Sequence, residues 1–510
     1  MPKTAITGSL ISLEIDKGSK EPIHRQIADR LREAIQNGRM PTGTKLPSTR
    51  VFADELGVSR NTVMQVFEVL SAEGFLTGRV GAGTFVAGLS AHEPRDLAIE
   101  QTAPRDGATY PFRSLSRRGK NLVLSATGEF SERPTPFMPD LPDLREFPIR
   151  TWLRLLNETS GRLTGEILAD TSNAGYEPLR RAIAQYLNAS RGMACDYRQV
   201  IITTGSQQSL DLVCRMLLDP GDPVWLEEPG YIGARAVISA NGAALYPVPV
   251  DEDGICAEIA ALTLPVPRFI FTSPSRHYPL GATLSMARRH ALLNFAQAAG
   301  SWIVEDDYDH EFRYVGTSFP AIYGLDTGAR TIHMGTFSKI LLPSFRLGYI
   351  VVPPDLADAF AKARAVVDRH ASLIEQMVLS EFMLRGLFAA HTRRMRGLYR
   401  TRQLQLIEGL HDLFGADIAL SATETGMHVI LPLAQAADDQ HLAKLAATRG
   451  VVVRPLSPYY AGSERRKGLL LGFSAFNNSE ITLGLSRLSS LRDTSAFRAA
   501  LGRRPADRLA

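Results

Sequence analysis

The segment MGTFSKILLPSFRLGY holds the residues whose types and spacing are best suited to chemistry. Lys339 follows an apolar run, with Thr336 and Ser338 just before it and Arg346 seven residues after it. A lysine amine forms a Schiff base with an aldehyde, hydroxyls hydrogen-bond a phosphate, and a guanidinium balances its charge. The pattern therefore favours a phosphorylated cofactor that carries an aldehyde, although a lone lysine is more often a solvated surface residue.

Two further segments suit the same site. In VIITTGSQQSLDLV a predicted strand turns at Gly205 into a helix, so the amides of Ser206 and Gln207 lie at a helix N-terminus, where phosphate binds well. In VEDDYDHEF a predicted strand ends in carboxylates and a tyrosine, so Asp306 can pair with a pyridinium nitrogen and Tyr308 can hydrogen-bond a ring hydroxyl. Taken singly, the first is more often a helix cap and the second a surface acidic turn. Together, in this order, they favour one cofactor site.

The elements that must position these residues begin at about residue 126, where short apolar runs alternate with helical stretches, as is typical of a three-layer α/β domain. The segment MARRHALLNFAQAAG predicts one of the helices, and the predicted buried strands are VIITT (200–204), RFIFT (268–272), WIVED (302–306), TIHMG (331–335) and LGYIVV (347–352). From about 395 to 510, a helix in RRMRGLYRTRQLQLIEGL and strands around MHVILPL and GLLLGFS indicate a smaller α+β lobe.

Residues 1 to about 88 predict a separate unit. PIHRQIADRLREAIQNG predicts one helix, Ser48 caps a second that ends at Gly57, Ser59 caps a third, and FLTGRVGAGTFVA predicts a hairpin. Two helices joined by a tight turn suit the DNA major groove, and the second exposes polar side chains near its start, namely Arg60, Asn61, Thr62 and Gln65. On periodicity alone, an ordinary three-helix bundle is an equal alternative.

Composition excludes several classes. Apolar residues make up 45% and charged residues 22% of 510, which is ordinary globular usage and argues against disorder or a disulfide scaffold. The three cysteines contain no CxxC pair, so no metal site is predicted. We expect a soluble cytoplasmic protein, because there is no signal-peptide pattern and no run near the roughly 18 apolar residues of a membrane span. Residues 89–125 lack a sustained period and predict an interdomain linker.

The segment LPSTRVFADELGVSRNTVMQVFEVLSAEGFLTGRVGAGTFV resembles the winged helix-turn-helix of GntR-family transcription regulators, and the resemblance covers about residues 20–87. It implies binding to a double-stranded DNA operator. The implied contacts come from two helix starts and the hairpin: Ser48, Thr49, Arg50, Ser59, Arg60, Asn61, Thr62, Gln65 and Arg79. Residues 1–88 contain eleven Lys or Arg against nine Asp or Glu, so affinity depends on charge placement and dimerisation.

The remaining chain resembles fold-type I pyridoxal 5′-phosphate (PLP) enzymes of the aspartate aminotransferase kind. The order of GYEPLRRAIAQYL, GSQQSLDLV, EEPGYIGAR, SPSRHYPLG, EDDYDHEF and GTFSKILLPSFRLGY resembles MocR/GabR-type regulators. The resemblance implies that Lys339 carries PLP, that Asp306 faces its ring nitrogen and that Tyr308 faces its ring oxygen. It also implies that Tyr231 stacks on the ring, that residues 173–176 line the substrate side, and that the phosphate ligands are Ser206, Gln207, Thr336, Ser338 and Arg346.

The sequence departs from this family at two places. SRH (275–277) stands where the family often has SHQ. Ala475 stands where many aminotransferases carry an arginine that grips a carboxylate, which predicts that a bidentate grip is missing there. Arg454 and Arg235 are possible substitutes for the missing arginine. For each of them, a role in a structural salt bridge is an equal alternative. We therefore expect a ligand whose anionic group is held elsewhere, for example by Arg454, or one without a carboxylate.

The combined expectation is a PLP-dependent transcription regulator of α/β fold. It has a winged helix-turn-helix at 1–88, a linker at 89–125 and an aminotransferase-like domain at 126–510, which consists of a large three-layer α/β domain and a smaller α+β lobe. We expect a homodimer that senses a small amine or PLP, with RNA polymerase as a possible partner and without membrane association or physiological turnover. The alternatives are an active aminotransferase with a DNA-binding extension, which Ala475 counts against, and a repressor that has lost PLP, which Lys339 counts against.

Overall fold

A computed structural model describes residues 21–79, 82–87, 115–124, 134–168, 172–415, 418–420, 422–463 and 465–492, together with residues 16, 19, 494, 497 and 500. The chain divides into two compact units, residues 1–111 and 112–510, and each is described by itself. Of the predicted linker, residues 89–114 and residue 125 lie outside the described residues.

The small unit contains three helices and a hairpin: α1 (Ile23–Gln36), α2 (Thr49–Leu56), α3 (Arg60–Ala72), and the antiparallel pair β1 (Leu76–Arg79) and β2 (Gly83–Val86). Ser48 caps α2 and Ser59 caps α3 through their side-chain oxygens, as their positions predict. Gly57 ends α2 with a φ of 60°, a left-handed conformation that glycine adopts without strain and that permits the tight turn into α3. The core comes from apolar residues that recur every three or four positions along α1 and α3, including Ile27, Leu31, Val63 and Leu70.

The large unit alternates helices and strands. Its helices are α4 (Arg117–Leu124), α5 (Ile149–Ser160), α6 (Gly165–Leu168), α7 (Glu177–Arg191), α8 (Ser206–Leu217), α9 (Ile232–Ala240), α10 (Ala257–Thr263), α11 (Met286–Ala299), α12 (Ile322–Leu325), α13 (Ala357–Val367), α14 (Leu373–Leu384), α15 (Leu387–Phe414), α16 (Asp439–Thr448) and α17 (Asn478–Arg492). Its strands are β3 (Val200–Thr203), β4 (Pro223–Glu228), β5 (Ala244–Asp251), β6 (Gly254–Ile255), β7 (Phe269–Thr272), β8 (Trp302–Asp306), β9 (Thr331–Thr336), β10 (Gly348–Val351), β11 (His428–Pro432), β12 (Arg454–Pro455) and β13 (Gly468–Gly472).

Eight of these strands form the central sheet, in the order β3-β10-β9-β8-β7-β4-β5-β6. Neighbours from β9 to β5 pair in parallel, whereas β10 is antiparallel to both β3 and β9. The five predicted strands all belong to this sheet. Sequence reasoning missed β4 and β5, because prolines and carboxylates interrupt their apolar pattern.

A second sheet, in the order β11-β13-β12, forms the core of the C-terminal lobe. Helices α15 and α17 pack against each other beside it, and buried residues such as Tyr399, Leu471 and Leu488 belong to one apolar cluster. This sheet confirms the predicted α+β lobe. Among the described residues, no helix is long and apolar enough to cross a membrane.

The predicted linker contains one element that its composition did not indicate. Residues 117–124 form α4, which packs against α9, and Arg118 donates a hydrogen bond to Asn241. An eight-residue helix that contains Gly119 is marginal by itself, so tertiary contact stabilises it. Residues 117–124 of the predicted linker are therefore helical and belong to the large unit.

Candidate cofactor site and DNA-binding surface

The sheet topology brings the predicted cofactor residues to one edge. Because β3, β4, β7, β8 and β9 run in the same direction, their C-terminal ends meet there, and the antiparallel β10 begins there. Gly205 follows β3, Tyr231 follows β4, Asp306 ends β8, Lys339 follows β9, and Arg346 precedes β10. Ligands of open α/β sheets commonly bind at this edge, outside the carboxyl ends of the strands.

A cradle for an anion lies where β3 turns into α8. Gly205 has a φ of 120°, and Ser206 begins the helix, so the first amides of α8 have no partner within the helix. A Cβ on Gly205 would lie 3.8 Å from Nη1 of Arg346, which places that guanidinium over the helix start. In the part of the chain that the structure describes, no carboxylate forms an ion pair with Arg346. Next to Lys339, the Thr336 hydroxyl accepts a hydrogen bond from the Ser338 amide at 3.2 Å.

Tyr231 is held beside this cradle. Gln207 Nε2 donates to its hydroxyl at 2.9 Å. Gly233 makes the contact possible, because a Cβ there would lie 2.1 Å from Gln207 Nε2. Burial, followed by the charge of Asp306, raises the pKa of Tyr231 to about 12, so its hydroxyl stays protonated.

Asp306 is the clearest indication that a partner belongs at this edge. Its side chain is buried, and its Oδ1 has no hydrogen-bond partner among the described residues. Burial, reinforced by the neighbouring charge of Asp307, raises the pKa of Asp306 to about 7. An unpaired buried carboxylate is costly, and a protonated ring nitrogen would pair with it. The residues present therefore fit a pyridinium cofactor.

Tyr308 lies two residues beyond Asp306 and has a defined polar contact. Its hydroxyl accepts a hydrogen bond from Arg276 Nη1 at 3.2 Å. Burial, with the charge of Asp309, raises the pKa of Tyr308 well above its ordinary value. Gly426 leaves the space for Arg276, since a Cβ at that glycine would lie 1.9 Å from Arg276 Nε. Arg276, which stands at a departure from the family pattern, thus orients Tyr308.

Lys339 contacts a residue that sequence reasoning missed. Its Nζ donates to the backbone oxygen of Asp140 at 3.0 Å. The Asp140 carboxylate accepts hydrogen bonds from Tyr278 at 2.7 Å and from Arg454. Although burial opposes ionisation, the charges of Lys339 and Arg454 hold the pKa of Asp140 well below its usual range. No local pattern marks Asp140, because it lies 199 residues before Lys339 in the chain.

The two possible substitutes for a carboxylate grip occupy different settings. Arg454 forms its ion pair with Asp140 inside the site. Arg235 donates to the backbone oxygen of Pro458 at 2.9 Å, and burial lowers its pKa. Ala475 itself belongs to the large apolar core, and its backbone oxygen accepts a hydrogen bond from Arg145.

Leu470 of β13, unlike Ala475, belongs to the apolar cluster that contains tyrosines of the site. It is fully buried in a cluster with Tyr278 and Tyr459, against which Tyr231 and Tyr308 pack. The C-terminal lobe therefore contributes an apolar side chain to the cluster that packs against the site's tyrosines.

The remaining predicted residues take supporting positions. His277 is buried between the Pro229 oxygen and the Leu280 amide, and burial lowers its pKa to about 3, so it is neutral. Ser275 accepts a hydrogen bond from Arg191. The loop 173–176 is anchored by the Tyr176 amide, which donates to the side chain of Gln376 on α14 at 2.9 Å.

The small unit presents the predicted DNA-contacting residues on its surface. Arg50, Arg60, Asn61 and Gln65 are exposed, while the apolar face of α3 is buried. Ser59 and Thr62 share a hydrogen bond at the start of α3, and Arg60 Nε donates to the Thr49 hydroxyl at 3.4 Å. The contact between Arg60 and Thr49 connects the starts of α2 and α3, so the predicted polar residues at these two helix starts lie next to each other.

The hairpin contributes a basic edge. Arg79 lies 5.1 Å and Lys45 lies 5.8 Å from the ring centre of Phe85. Lys45 was not predicted as a DNA contact, because its segment has no helical or strand period. A bridge between Lys45 and Phe85 brings the residue to the hairpin.

Comparisons with known proteins define the class of protein. Residues 23–86 match the gntR family of bacterial regulatory proteins, and residues 142–470 match aminotransferase class I and II. The chain thus joins a GntR-type DNA-binding domain to an aminotransferase-like domain.

Two regulators and one enzyme structure illustrate this similarity. The probable rhizopine catabolism regulatory protein MocR of Rhizobium meliloti is 39% identical over 478 residues, covering 94% of this chain and 95% of that protein. The HTH-type transcriptional regulator TauR of Rhodobacter capsulatus is 32% identical, covering 92% and 97%. The crystal structure of LysN, the alpha-aminoadipate aminotransferase of Thermus thermophilus complexed with N-(5′-phosphopyridoxyl)-L-leucine, is 27% identical with a TM-score of 0.65, covering 76% and 96%.

This chain belongs to the MocR-type transcription regulators. The predicted fold is confirmed: a winged helix-turn-helix unit is joined to an α/β unit of the aminotransferase fold. As a regulator of this family, it binds DNA through its GntR-type domain.

Proposed function

We propose that this regulator binds its operator as a homodimer and changes its DNA affinity when a small amine, or PLP itself, reaches the Lys339 site. PLP is the cofactor of its aminotransferase-like domain, in keeping with the phosphopyridoxyl group held by LysN. The observation that carries the proposal is the orphaned carboxylate of Asp306, which shares a sheet edge with Lys339 in a chain that also exposes a DNA-binding surface.

Different residues of the site hold different parts of the cofactor. Lys339 would hold PLP at its aldehyde carbon, and the bound cofactor would supply an electrophilic carbon for reversible reaction with amines. Asp306 would pair with the protonated ring nitrogen, Tyr308 would hydrogen-bond the ring oxygen and Tyr231 would stack on the ring. The phosphate ligands are Ser206, Gln207, Thr336, Ser338 and Arg346. Residues 173–176 line the ligand side.

On the DNA, the start of α3 enters the major groove and the hairpin follows the backbone. Arg60, Asn61 and Gln65 read base edges or phosphates. The remaining contacts position the helices on the duplex and come from Ser48, Thr49, Arg50, Ser59, Thr62 and Arg79. Dimerisation through residues 126–510 doubles the phosphate contacts of one complex, since residues 1–88 have little net charge.

The regulator works in the cytoplasm, where the DNA and PLP that it needs are present. Residues 1–88 bind the operator, residues 89–125 connect it to the sensor, and residues 126–510 form the sensor. RNA polymerase is its expected partner at the promoter. A ligand changes DNA affinity by binding two conformations of the sensor unequally, as any ligand-driven switch requires. Slow or absent turnover suits this role, because a ligand that is consumed does not report its concentration.

Reduction with borohydride followed by peptide mass spectrometry tests the cofactor assignment. We expect reduced PLP on Lys339 in the wild-type protein and none in Lys339→Ala. The control Lys362→Ala, at an exposed lysine of α13 paired with Asp358, should keep the label. Label on another lysine would overturn the assignment.

Operator binding measured on the same samples tests the regulatory function. DNA fragments retained by the wild-type protein supply the operator. An amine that changes the cofactor spectrum should change operator affinity in the wild-type protein and not in Lys339→Ala. Full spectral conversion by every responsive amine without any change in DNA binding would contradict the proposal.

A further inference from the structure

We infer that the ligand recognised at Lys339 is a primary amine that carries hydroxyl or second amino groups and no carboxylate. The inference rests on the proposed amine-sensing function and deepens it. It comes from the way Asp140, Arg454 and Leu470 are placed around the lysine.

Two arginines near Lys339, Arg454 and Arg276, are already engaged, and Arg346 is assigned to the cofactor phosphate under the proposed function. Arg454 is committed to the carboxylate of Asp140, with which it forms an ion pair. Arg276 donates to Tyr308, to the backbone oxygen of His428 and, more distantly, to Asp309. A carboxylate ligand needs a guanidinium with two parallel N–H groups free, so neither residue is prepared to grip one.

The strand residue that pairs with Arg454 offers no replacement. This residue is Leu470, which is fully buried in the cluster that contains Tyr278 and Tyr459. A ligand carboxylate that lost water next to this apolar cluster would gain no hydrogen bond from the leucine, which is strongly unfavourable.

Instead of a cation for a carboxylate, Asp140 supplies a hydrogen-bond acceptor for a hydroxyl or ammonium group. Both of its described side-chain hydrogen bonds go to Oδ2, from Tyr278 and Arg454. Oδ1 accepts none from the residues that the structure describes, and 15% of the Asp140 side chain is exposed. Its backbone oxygen accepts from Lys339 Nζ, so this residue directly adjoins the place where an amine must arrive. A hydroxyl or ammonium group on the ligand matches the open oxygen.

A carboxylate could still approach the remaining nitrogens of Arg454, whose side chain is 38% exposed. It would then lie beside the ionised carboxylate that already shares this guanidinium. Two like charges on one partner repel each other, and this repulsion discriminates against the wrong ligand.

Matched amine pairs test the inference on the holoprotein. One pair is 3-aminopropan-1-ol and β-alanine, and the other is 1,4-diaminobutane and 4-aminobutanoate. We measure the cofactor spectrum and the heat of binding by calorimetry. In each pair the carboxylate-free member should act at an about tenfold or more lower concentration, because like-charge juxtaposition is costly.

Asp140→Asn sharpens the test by removing the negative charge and freeing Arg454. The preference within each pair should shift toward the carboxylate member by about tenfold or more. Asp253→Asn, at an exposed position, is the matched control and should keep the wild-type preference. If Asp140→Asn fails to fold, the wild-type ratios alone decide.

The outcomes separate the inference from the proposed function. Equal or stronger binding of the carboxylate members to the wild-type protein overturns the inference and leaves amine sensing intact. An Asp140→Asn variant that folds and keeps the wild-type preference also overturns it. If none of the four amines changes the cofactor spectrum or gives a heat of binding, the inference and amine sensing are both overturned. PLP sensing then remains testable by operator binding.

Discussion

The two units of this regulator treat polar side chains in opposite ways. In the small unit, every buried side chain among the described residues is apolar, and the predicted DNA contacts lie on the surface. The large unit buries charged groups, including the ion pair of Arg191 with Asp307 at 2.7 Å. Asp306 is buried as well.

In the small unit, the residues that contact DNA are therefore distinct from those that stabilise the fold. In the large unit, the same buried residues affect both ligand binding and stability. A DNA-contacting side chain can change without disturbing a core that it does not enter. A buried carboxylate can function only if its neighbours satisfy it, so a change in the large unit affects both folding and binding. Substitutions in each unit therefore test the comparison directly.

The largest effect should come from Arg191→Met. Arg191 donates to Asp307, to Ser275 and to the Phe319 oxygen, and its removal leaves the buried Asp307 carboxylate without its guanidinium partner. We expect a loss of about 3–5 kcal/mol in the free energy of unfolding, measured by urea denaturation. The control Arg181→Met breaks an exposed pair and should cost less than about 1 kcal/mol. Equal losses in the two variants would show that burial does not set the cost.

The second effect concerns pH. In the cofactor-free protein, the pKa of Asp306 is raised to about 7, so between about pH 4 and 7 the folded state holds a proton that the unfolded state has lost. Stability attributable to this group therefore falls as the pH rises through that interval. Asp306→Asn should flatten the fall by up to about 1.4 kcal/mol per pH unit, measured by denaturation at several pH values. An unchanged slope would contradict the assignment, and Asp253→Asn serves as the control.

The smallest effect on stability should come from the DNA-binding surface. Arg60→Ala should weaken operator binding by about 1–3 kcal/mol if the side chain reads a base, or reduce the salt dependence by about one charge if it contacts phosphate. The melting temperature should stay unchanged, because Arg60 is exposed and lies off the buried face of α3. Arg30→Ala on α1 is the matched control. Unchanged operator affinity and salt dependence would remove Arg60 from the interface, and a clear loss of stability would break the comparison.

The sequence predicts most of this fold because its signals are local. Apolar periodicity and the caps Ser48 and Ser59 mark the helices of the small unit, and five apolar runs mark strands of the central sheet. Family resemblance then identifies both domains and the cofactor, which the comparisons confirm. The proposed roles of individual site residues stay predictions.

The parts that could not be predicted depend on contacts between distant segments. Asp140 lies in an irregular segment with a φ of 70°, and only the folded chain brings it to Lys339. Leu470 looks like any strand residue until the sheet orientation directs it into the tyrosine cluster. Helix α4 forms against α9 although its own sequence is a weak helix former. Contacts between distant segments produce no hydrophobic periodicity in the sequence.

Because the small unit has a hydrophobic core of its own, it can be transferred between proteins as one folding unit. Among the described residues of this unit, all buried side chains come from residues 27–86, so the DNA-binding unit carries its own folding information within a short stretch of chain. In evolutionary terms, such a stretch can be joined to a new sensor by one recombination event, without compensating changes in its interior. The same property permits engineered chimeric regulators. In these, the DNA-binding unit of one protein determines the operator, and the sensor unit of another determines the chemical signal.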